Sequence, residues 1–173
     1  MPIAPKLLLL EPKFILLDKG QKTLVDAIDF EWLSHYNWYA EWKKEYKDGA
    51  WVVKASIRGK LGPTSMSRFI LNVTDPELLI DHIDHNTLNH RRQNLRIVTR
   101  SQNQQNRRKP RNNSSGYKGV HRRITKKGEV VWVARIAVSG IRHELGWFST
   151  VAEAAEAYHV AAIKFHGEYA CFK

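Results

Sequence analysis

The chain has 173 residues, of which 43% are apolar and 26% are charged, and its formal net charge at pH 7 is +11. This apolar fraction is enough for one medium domain or two small ones, and it excludes a disordered tail. The excess of positive charge requires an anionic partner, which leaves nucleic acid, an acidic membrane surface or an acidic protein.

The positive charge is concentrated in one block of the sequence. Between Arg91 and Arg135 lie 14 of the 28 Lys and Arg residues, and Glu129 is the only acidic residue there. The rest of the chain carries 14 basic and 16 acidic residues. Such a block is either a solvated, flexible stretch or a surface that binds nucleic acid. Composition alone leaves both readings open.

Cysteine content and hydropathy narrow the class of protein further. Cys171 is the single cysteine, which excludes an internal disulfide and a zinc site built from cysteine pairs and favours a reducing cytosol. The apolar run Leu7 to Leu10 is too short for a membrane span and lacks the cleavage site of a signal peptide. We therefore expect a cytoplasmic protein without membrane contact, and nucleic acid becomes the favoured partner.

The segment from Lys13 to about Asp75 is rich in aromatic residues and predicts short strands around a short helix. In chain order we expect a strand over 14–17, a helix over 30–35, and strands over 38–42 and 51–57. Asp26 or Asp29 is the expected helix cap, and Lys47-Asp48-Gly49 is a turn of the hairpin type. Four of the six Trp residues fall in this segment, and we assign them to the core.

A second segment, from Ser67 to about Asn106, gathers polar groups that can bind a hard metal ion or transfer a proton. They stand in three runs: Asp81-His82-Ile83-Asp84-His85-Asn86, Asn94-Leu95-Arg96, and Ser101-Gln102-Asn103-Gln104-Gln105-Asn106. Phosphodiester hydrolysis requires a cation and a base held together on a scaffold. Carboxylate and amide oxygens suit Mg²⁺, and a neutral imidazole suits the base.

Other residues of this segment receive structural assignments. His82 and His85 form a His-x-x-His pair, but without cysteine partners we expect no structural zinc. We expect Asp84 to cap a turn or hold a basic side chain rather than bind a metal. His85 and His90 are expected at the surface or facing phosphate.

A basic linker over residues 107–113 follows, in which Pro110 prevents a continuous helix. Three strands are then expected over 116–124, 130–138 and 141–148, separated by turns at Lys126-Lys127-Gly128 and Ser139-Gly140. Thr150 and Glu153 form a capping box that starts a helix running to Gly167. Its buried face is expected to carry Ala155, Tyr158, Ala162 and Phe165.

The central residues, from Leu79 through Asn106, resemble the HNH nucleases, in the branch found in phage and intron homing enzymes. The resemblance implies two antiparallel strands, a loop and a helix around one divalent metal ion, Mg²⁺ or Mn²⁺, with this ββα-metal core at about 66–106. It implies Asp81 and Asn103 as the two protein ligands of the metal and His82 as the general base. It also implies that Asn94 holds the loop that orients this base.

The residues before Leu79, as far as the run Met66-Ser67-Arg68-Phe69-Ile70, also look like the N-terminal part of these nucleases, with one departure. Many relatives carry His where Ser67 stands. If that His helps to bind the scissile phosphate, the activity here is reduced and Arg68 shares the role.

The C-terminal segment resembles the ethylene-response-factor, or APETALA, type of DNA-binding domain. The matching runs are Gly116-Tyr117-Lys118-Gly119-Val120, Trp132-Val133-Ala134-Arg135-Ile136, Leu145-Gly146-Trp147-Phe148, Ala154-Ala155-Glu156-Ala157-Tyr158 and His166-Gly167-Glu168. Such domains are implied to lay a three-stranded sheet in the major groove of DNA with a helix behind it.

The DNA contacts expected from this resemblance lie at strand positions, and further contacts come from the central segment and the linker. The full set is Arg68, Arg96, Arg107, Arg108, Lys118, Arg123, Arg135 and Arg142. His121, Ala137 and Glu144 depart from the residues common in the plant domains, which predicts a different site preference. Trp132, Leu145, Tyr158 and Phe165 are expected in the core.

The sequence therefore predicts an α+β protein with a nuclease domain over 1–106, a linker over 107–113 and a DNA-binding domain over 114–173. The predicted function is metal-dependent nicking or cutting of double-stranded DNA by a homing-type enzyme, in a phage-infected or bacterial cell. We expect a monomer or weak dimer that needs no small-molecule cofactor. The main alternative is a DNA-binding transcriptional regulator whose nuclease centre has decayed. An RNA-binding or structural protein is the third hypothesis.

Overall fold

The structure is a computed structural model that describes residues 11–44 and 49–172. The chain forms two compact units, Met1–Ile97 and Val98–Lys173. Two features of the sequence, the run Leu7 to Leu10 and the turn residues Lys47 and Asp48, lie outside the described residues. No helix in the described ranges is both long and apolar enough to cross a membrane.

The first unit combines small sheets with two short helices. Its described elements are β1 (Lys13–Leu16), β2 (Lys22–Val25), α1 (Ala27–Leu33), β3 (Tyr39–Lys43), β4 (Ala50–Ser56), β5 (Pro63–Ser65), α2 (Met66–Ile70), β6 (Leu79–His82) and β7 (Leu95–Val98). Strands β1 and β2 form an antiparallel pair, β3, β4 and β5 form an antiparallel sheet in that order, and β6 pairs with β7. The expected strands near 14–17, 38–42 and 51–57 are present, whereas β2 and β5 were not predicted.

The core of this unit is built where the helices meet the sheets. Leu33 and Met66 are fully buried, and Trp38 is 5% exposed. Trp32 and Trp51 are partly buried and pack against the same cluster. The assignment of Trp42 to the core is wrong, because its side chain is 46% exposed.

Helix α1 begins earlier than the sequence indicated. Asp26 occupies its N-cap position with an extended backbone but makes no side-chain capping hydrogen bond. Asp29, the other candidate cap, is only 2% exposed and lies inside the first turn. It therefore acts as a buried carboxylate rather than as a cap.

The second unit is a three-stranded antiparallel sheet with a long helix on one face. Its elements are α3 (Arg100–Gln105), β8 (Val120–Ile124), β9 (Val130–Val138), β10 (Ile141–Phe148) and α4 (Val151–His166), and the strand order is β10-β9-β8. The capping box of α4 is confirmed, since Thr150 Oγ1 accepts from the backbone N–H of Glu153 and the Glu153 carboxylate accepts from the N–H of Thr150. Local signals therefore predicted this unit well.

The buried face of α4 differs in one respect from the prediction. Its buried residues are Ala154, Tyr158, Ala161, Ala162 and His166. Phe165 is 46% exposed, so its assignment to the core is wrong. His166 takes the inner position at this end of the helix, where its Nε2 donates to the carbonyl oxygen of Ala137 on β9 at 2.9 Å. A polar contact to the sheet thus replaces the expected aromatic one.

Helix α3 falls in the second unit, although the sequence pattern grouped it with β6 and β7. It contacts the short helical turn Gly167–Tyr169, and Lys118 Nζ donates to the carbonyl oxygen of Gln105 at its C-terminus over 2.6 Å. The structure is mixed α and β with small antiparallel sheets. The order strand, strand, helix is present in β6, β7 and α3, while the ββα-metal module and the domain limits 1–106, 107–113 and 114–173 stay predictions.

Candidate functional site

Asp81, the predicted metal ligand on β6, is paired with Arg96 on the neighbouring strand β7. Asp81 is buried, with 7% of the whole residue exposed. Its Oδ2 accepts a hydrogen bond from Arg96 Nε at 2.9 Å, and Arg96 Nη2 lies 2.8 Å from the same oxygen as an ion-pair contact. The sequence indicated a DNA contact for Arg96 and gave no sign of this pair. A guanidinium fixed on one carboxylate oxygen balances the charge of Asp81 within the first unit.

His82 is the last residue of β6 and therefore lies next to Asp81 where the strand enters the following loop. Burial lowers the pKa of the His82 imidazole below its ordinary value, and it outweighs the opposite effect of the Asp84 and Asp81 carboxylates. At neutral pH this ring is consequently unprotonated. An unprotonated imidazole at a strand end is able to accept a proton.

Asn94 connects the two ends of the loop over residues 83–94. Its side chain is 5% exposed; Oδ1 accepts from the N–H of Asp84 at 3.0 Å, and Nδ2 donates to the carbonyl oxygen of Asn89 at 2.8 Å. Its own carbonyl oxygen accepts from the N–H of Ile83 at 2.9 Å. These contacts tie the two ends of the loop together, and the role of Asn94 in orienting His82 stays a prediction.

Asp84 caps a turn in the same loop, as expected from the sequence. One carboxylate oxygen accepts from the N–H of Asn86 and the other from Nδ2 of Asn89, each at 2.7 Å. Burial raises the pKa of Asp84, but hydrogen bonds from Asn89, Asn86 and Asn94 outweigh it and hold this pKa below its ordinary value. Asp84 is therefore an ionised carboxylate committed to the turn.

Asp26 and Asp29, at the start of helix α1, bind Arg92 in the loop over residues 83–94. Arg92 donates through Nε and Nη2 to the two carboxylate oxygens of Asp29, each at 2.8 Å, and its backbone N–H donates to Asp26 at 2.8 Å. His90 is 2% exposed, so its expected place at the surface is wrong. These contacts join residues more than 60 positions apart, and no local sequence signal could have found them.

Ser67 and Arg68 lie on α2, before the site. Ser67, the residue that departs from many relatives, is 8% exposed, and its hydroxyl oxygen lies 3.4 Å from that of Ser65. Arg68 Nη1 donates to the carbonyl oxygen of Leu78 at 2.8 Å, and Nη2 donates to that of Asp75 at 2.5 Å. Arg68 thus fixes the segment that leads into β6.

The donor set fits a hard divalent cation that keeps most of its water. Asn103, the second predicted ligand, lies on α3 in the second unit, and its place in a metal site stays a prediction. Across the described residues no three His, Cys, Asp or Glu side chains converge as a metal-binding group. Mg²⁺ is commonly held by one or two carboxylates together with water and substrate phosphate, and a buried carboxylate such as Asp81 matches that pattern.

The second unit presents a basic surface on the sheet face that does not carry α4. Arg123 on β8, Arg135 on β9 and Arg142 on β10 occupy alternating positions on this face. Burial lowers the pKa of His121 on the same face, and the positive charges of these three arginines lower it further. Arginines from three adjacent strands therefore lie on one face of the sheet, and their contacts with DNA stay a prediction.

Glu144 on β10 is an acidic residue on the same sheet face, directly opposite Arg135 on β9. Its Oε2 accepts from Arg135 Nε at 3.2 Å and from Arg135 Nη2 at 2.8 Å, while its Oε1 accepts from Trp147 Nε1 at 2.5 Å. Hydrogen bonding by Arg135 lowers the pKa of Glu144, with a further contribution from Trp147. The carboxylate therefore stays ionised and fixes the orientation of both side chains.

A cleft of about 560 Å³ opens beside this face within the second unit. Its lining includes Gln104, Lys118, Arg123, Arg135, Arg142 and His166. Lys118 precedes β8 rather than lying on a strand, and burial lowers the pKa of its ammonium group. Arg107 and Arg108 are exposed in the irregular segment that follows α3. All the basic residues of this unit that the sequence predicted to contact DNA are thus in the cleft or exposed to solvent.

Comparison with known proteins adds independent findings. The sequence model described as "HNH endonuclease" matches residues 75–105. An uncharacterized HNH endonuclease of Acanthamoeba polyphaga mimivirus is 32% identical over 164 residues, which cover 91% of this chain and 78% of that protein. Protein 3.8 of Escherichia phage T7 is 31% identical over 94 residues, 54% of this chain and 74% of that protein. No solved structure gives a significant match, and these comparisons do not support a C-terminal domain of the ethylene-response-factor type.

Proposed function

Because this chain belongs to the HNH endonuclease family, we propose that it cuts or nicks duplex DNA with a divalent metal ion. As a member of that family it is a DNA endonuclease that hydrolyses phosphodiester bonds. In this proposal it is a homing-type enzyme that its second unit directs to the target. The observation that carries this proposal is the sequence of Asp81 and His82 at the end of β6, with the loop behind them tied by Asn94.

His82 is the general base of the proposed reaction. Its lowered pKa leaves the imidazole neutral at pH 7, so the ring can take a proton from the water molecule that attacks the phosphorus atom. A base needs a fixed direction as well as a basic nitrogen. The contacts of Asn94 with Asp84 and Asn89 support that requirement, because they hold the loop that follows His82.

Asp81 and Asn103 would hold the metal ion. A divalent cation there would neutralise the charge that develops on the scissile phosphate. Arg96 shares the Asp81 carboxylate, so the protein already compensates this negative charge with a guanidinium group. The position of Arg96 supports a role beside the phosphate, where its positive charge would bind the same anion.

The basic face of the second unit would direct the enzyme to its target. A two-stranded β-ribbon fits the major groove of B-form DNA, and side chains at alternating positions of a strand reach base edges and phosphates together. Arg123, Arg135 and Arg142 occupy such positions. Arg107 and Arg108, exposed on the linker, would add contacts to phosphate that carry affinity without sequence preference.

A nicking assay on supercoiled plasmid tests this proposal. We expect conversion to the nicked or linear form with Mg²⁺ or Mn²⁺ and none with a chelator, while gel retardation of DNA persists in both conditions. Plasmid that stays intact in every divalent metal, together with retained DNA binding, would overturn the proposed nuclease activity. It would favour a DNA-binding regulator whose nuclease centre has decayed.

A further inference from the structure

His90 stands directly behind the proposed base. Its imidazole is 2% exposed, and its ring centroid lies 5.2 Å from that of His82 with the two rings at 90°. The resemblance to HNH nucleases assigns His90 no role. The buried imidazole of His90 therefore contacts the imidazole of His82, the proposed base.

The hydrogen bonds of Thr23 determine which nitrogen of His90 carries the proton. Thr23 Oγ1 lies 2.8 Å from the carbonyl oxygen of Leu88 and 2.7 Å from His90 Nδ1. The carbonyl oxygen can only accept, so the single hydroxyl proton of Thr23 points to Leu88. Thr23 Oγ1 must then accept from His90, which places the proton on Nδ1. The structure thus fixes both the tautomer and the rotation of the His90 ring.

The backbone around His90 is fixed by the N-terminal strand pair. The N–H of Leu24 donates to the carbonyl oxygen of Leu88 at 2.8 Å, and the N–H of His90 donates to that of Leu24 at 2.7 Å. Leu24 and Asn89 form a parallel bridge. Burial also holds the pKa of His90 well below its ordinary value, so the ring adds no charge beside His82. Strand β2 therefore holds the neutral His90 ring in a fixed position next to His82.

We propose that His90, locked by the hydroxyl group of Thr23, is a positioning residue that sets the orientation of the His82 imidazole, so that β2 belongs to the nuclease centre. The inference rests on the proposed role of His82 as the base. A perpendicular ring at this distance restricts rotation of the His82 side chain. A misplacement of about 1 Å can reduce a rate about 100-fold. Loss of the fixed orientation of the His90 ring therefore lowers the rate of the chemical step and leaves DNA binding unchanged.

The variant Thr23→Val tests the proposal, because valine keeps the shape of threonine and removes the hydroxyl group. We expect its single-turnover cleavage rate to fall by about 10- to 100-fold, with DNA affinity unchanged, and we expect Thr23→Ser to restore most of the rate. Thr64→Val, on strand β5 of the same unit, is the matched control. A Thr23→Val protein that is folded by its melting curve and cleaves at the wild-type rate would overturn the proposal.

Nitrogen-15 spectra of the histidine rings provide a readout that does not depend on cleavage. We expect an Nδ1–H signal for His90 in the wild type, and we expect Thr23→Val to alter the ring signals of His82 as well as those of His90. An Nε2–H tautomer of His90, or His82 signals that Thr23→Val leaves unchanged, contradicts the inference. If the wild type fails to cut DNA, the proposed function fails, while these spectra still decide whether His90 orients His82.

Discussion

Arg96 and Asp81 form an ion pair in which both side chains are almost completely buried, with exposed fractions of 11% and 9%. Two nitrogens of one guanidinium converge on a single carboxylate oxygen, at 2.9 and 2.8 Å. Removing one partner of a buried pair leaves the other charge without compensation, and that is far more costly than the net contribution of the pair.

Arg96→Met should therefore lower the free energy of unfolding by about 3 kcal/mol. A divalent cation would supply the missing positive charge, so Mg²⁺ should raise the melting temperature of the variant more than that of the wild type. Thermal unfolding with and without Mg²⁺ measures both effects. Arg58→Met, at an exposed position, is the control. Equal responses to Mg²⁺ in wild type and variant would show that no cation binds at Asp81.

His82→Ala should reduce the cleavage rate by about 100- to 10,000-fold, the usual contribution of a general base. Binding of DNA should be nearly unchanged, because the basic patch that we assign to binding lies in the second unit. Rates and gel retardation on the same DNA fragment measure the two properties. Loss of binding in the variant would contradict the assignment of His82 as the base.

Acid should destabilise the first unit. Burial lowers the pKa values of His82 and His90 in the folded protein, so the unfolded chain binds their protons more readily. Stability is fully present above the unfolded pKa of about 6.5 and is lost as the pH falls below it, by at most about 1.4 kcal/mol per pH unit for each histidine.

Urea denaturation at pH 7.5 and pH 5, followed on methyl signals of Val25 and Val53 in the core of that unit, measures this loss. His90→Gln should reduce the dependence on pH, because one of the two titrating groups is removed. A stability that does not change between these pH values would refute the buried, neutral state of both rings.

The double variant Arg123→Ala, Arg142→Ala should weaken DNA binding and reduce its dependence on salt. For each arginine that binds a phosphate in the wild type, its removal should decrease the slope of log affinity against log salt by about 0.9. Removal of an arginine that binds a base should broaden the footprint. Lys164→Ala, on the exposed side of α4, removes a positive charge away from the sheet face and serves as the control. The same decrease in the logarithm of affinity per charge removed in the two proteins would indicate that only net charge matters.

Local signals in the sequence were sufficient for the second unit. The turns at Lys126-Lys127-Gly128 and Ser139-Gly140 and the capping box of Thr150 and Glu153 each depend on residues a few positions apart. They predicted β8, β9, β10 and α4 to within a few residues. The exposed Phe165 was missed because helical periodicity defines a face only approximately, and the bond of His166 to Ala137 decides which side chain turns inward.

The sequence by itself determined the family of this protein and the residue types of the centre that we propose, because Asp81, His82 and Asn94 stand in one short stretch. Only the tertiary structure decided what surrounds them. The contacts of Thr23 with His90 and of Asp29 with Arg92 join positions more than 60 residues apart. Such contacts form only when the chain has folded and the core has set the distance between strands, so no local pattern encodes them.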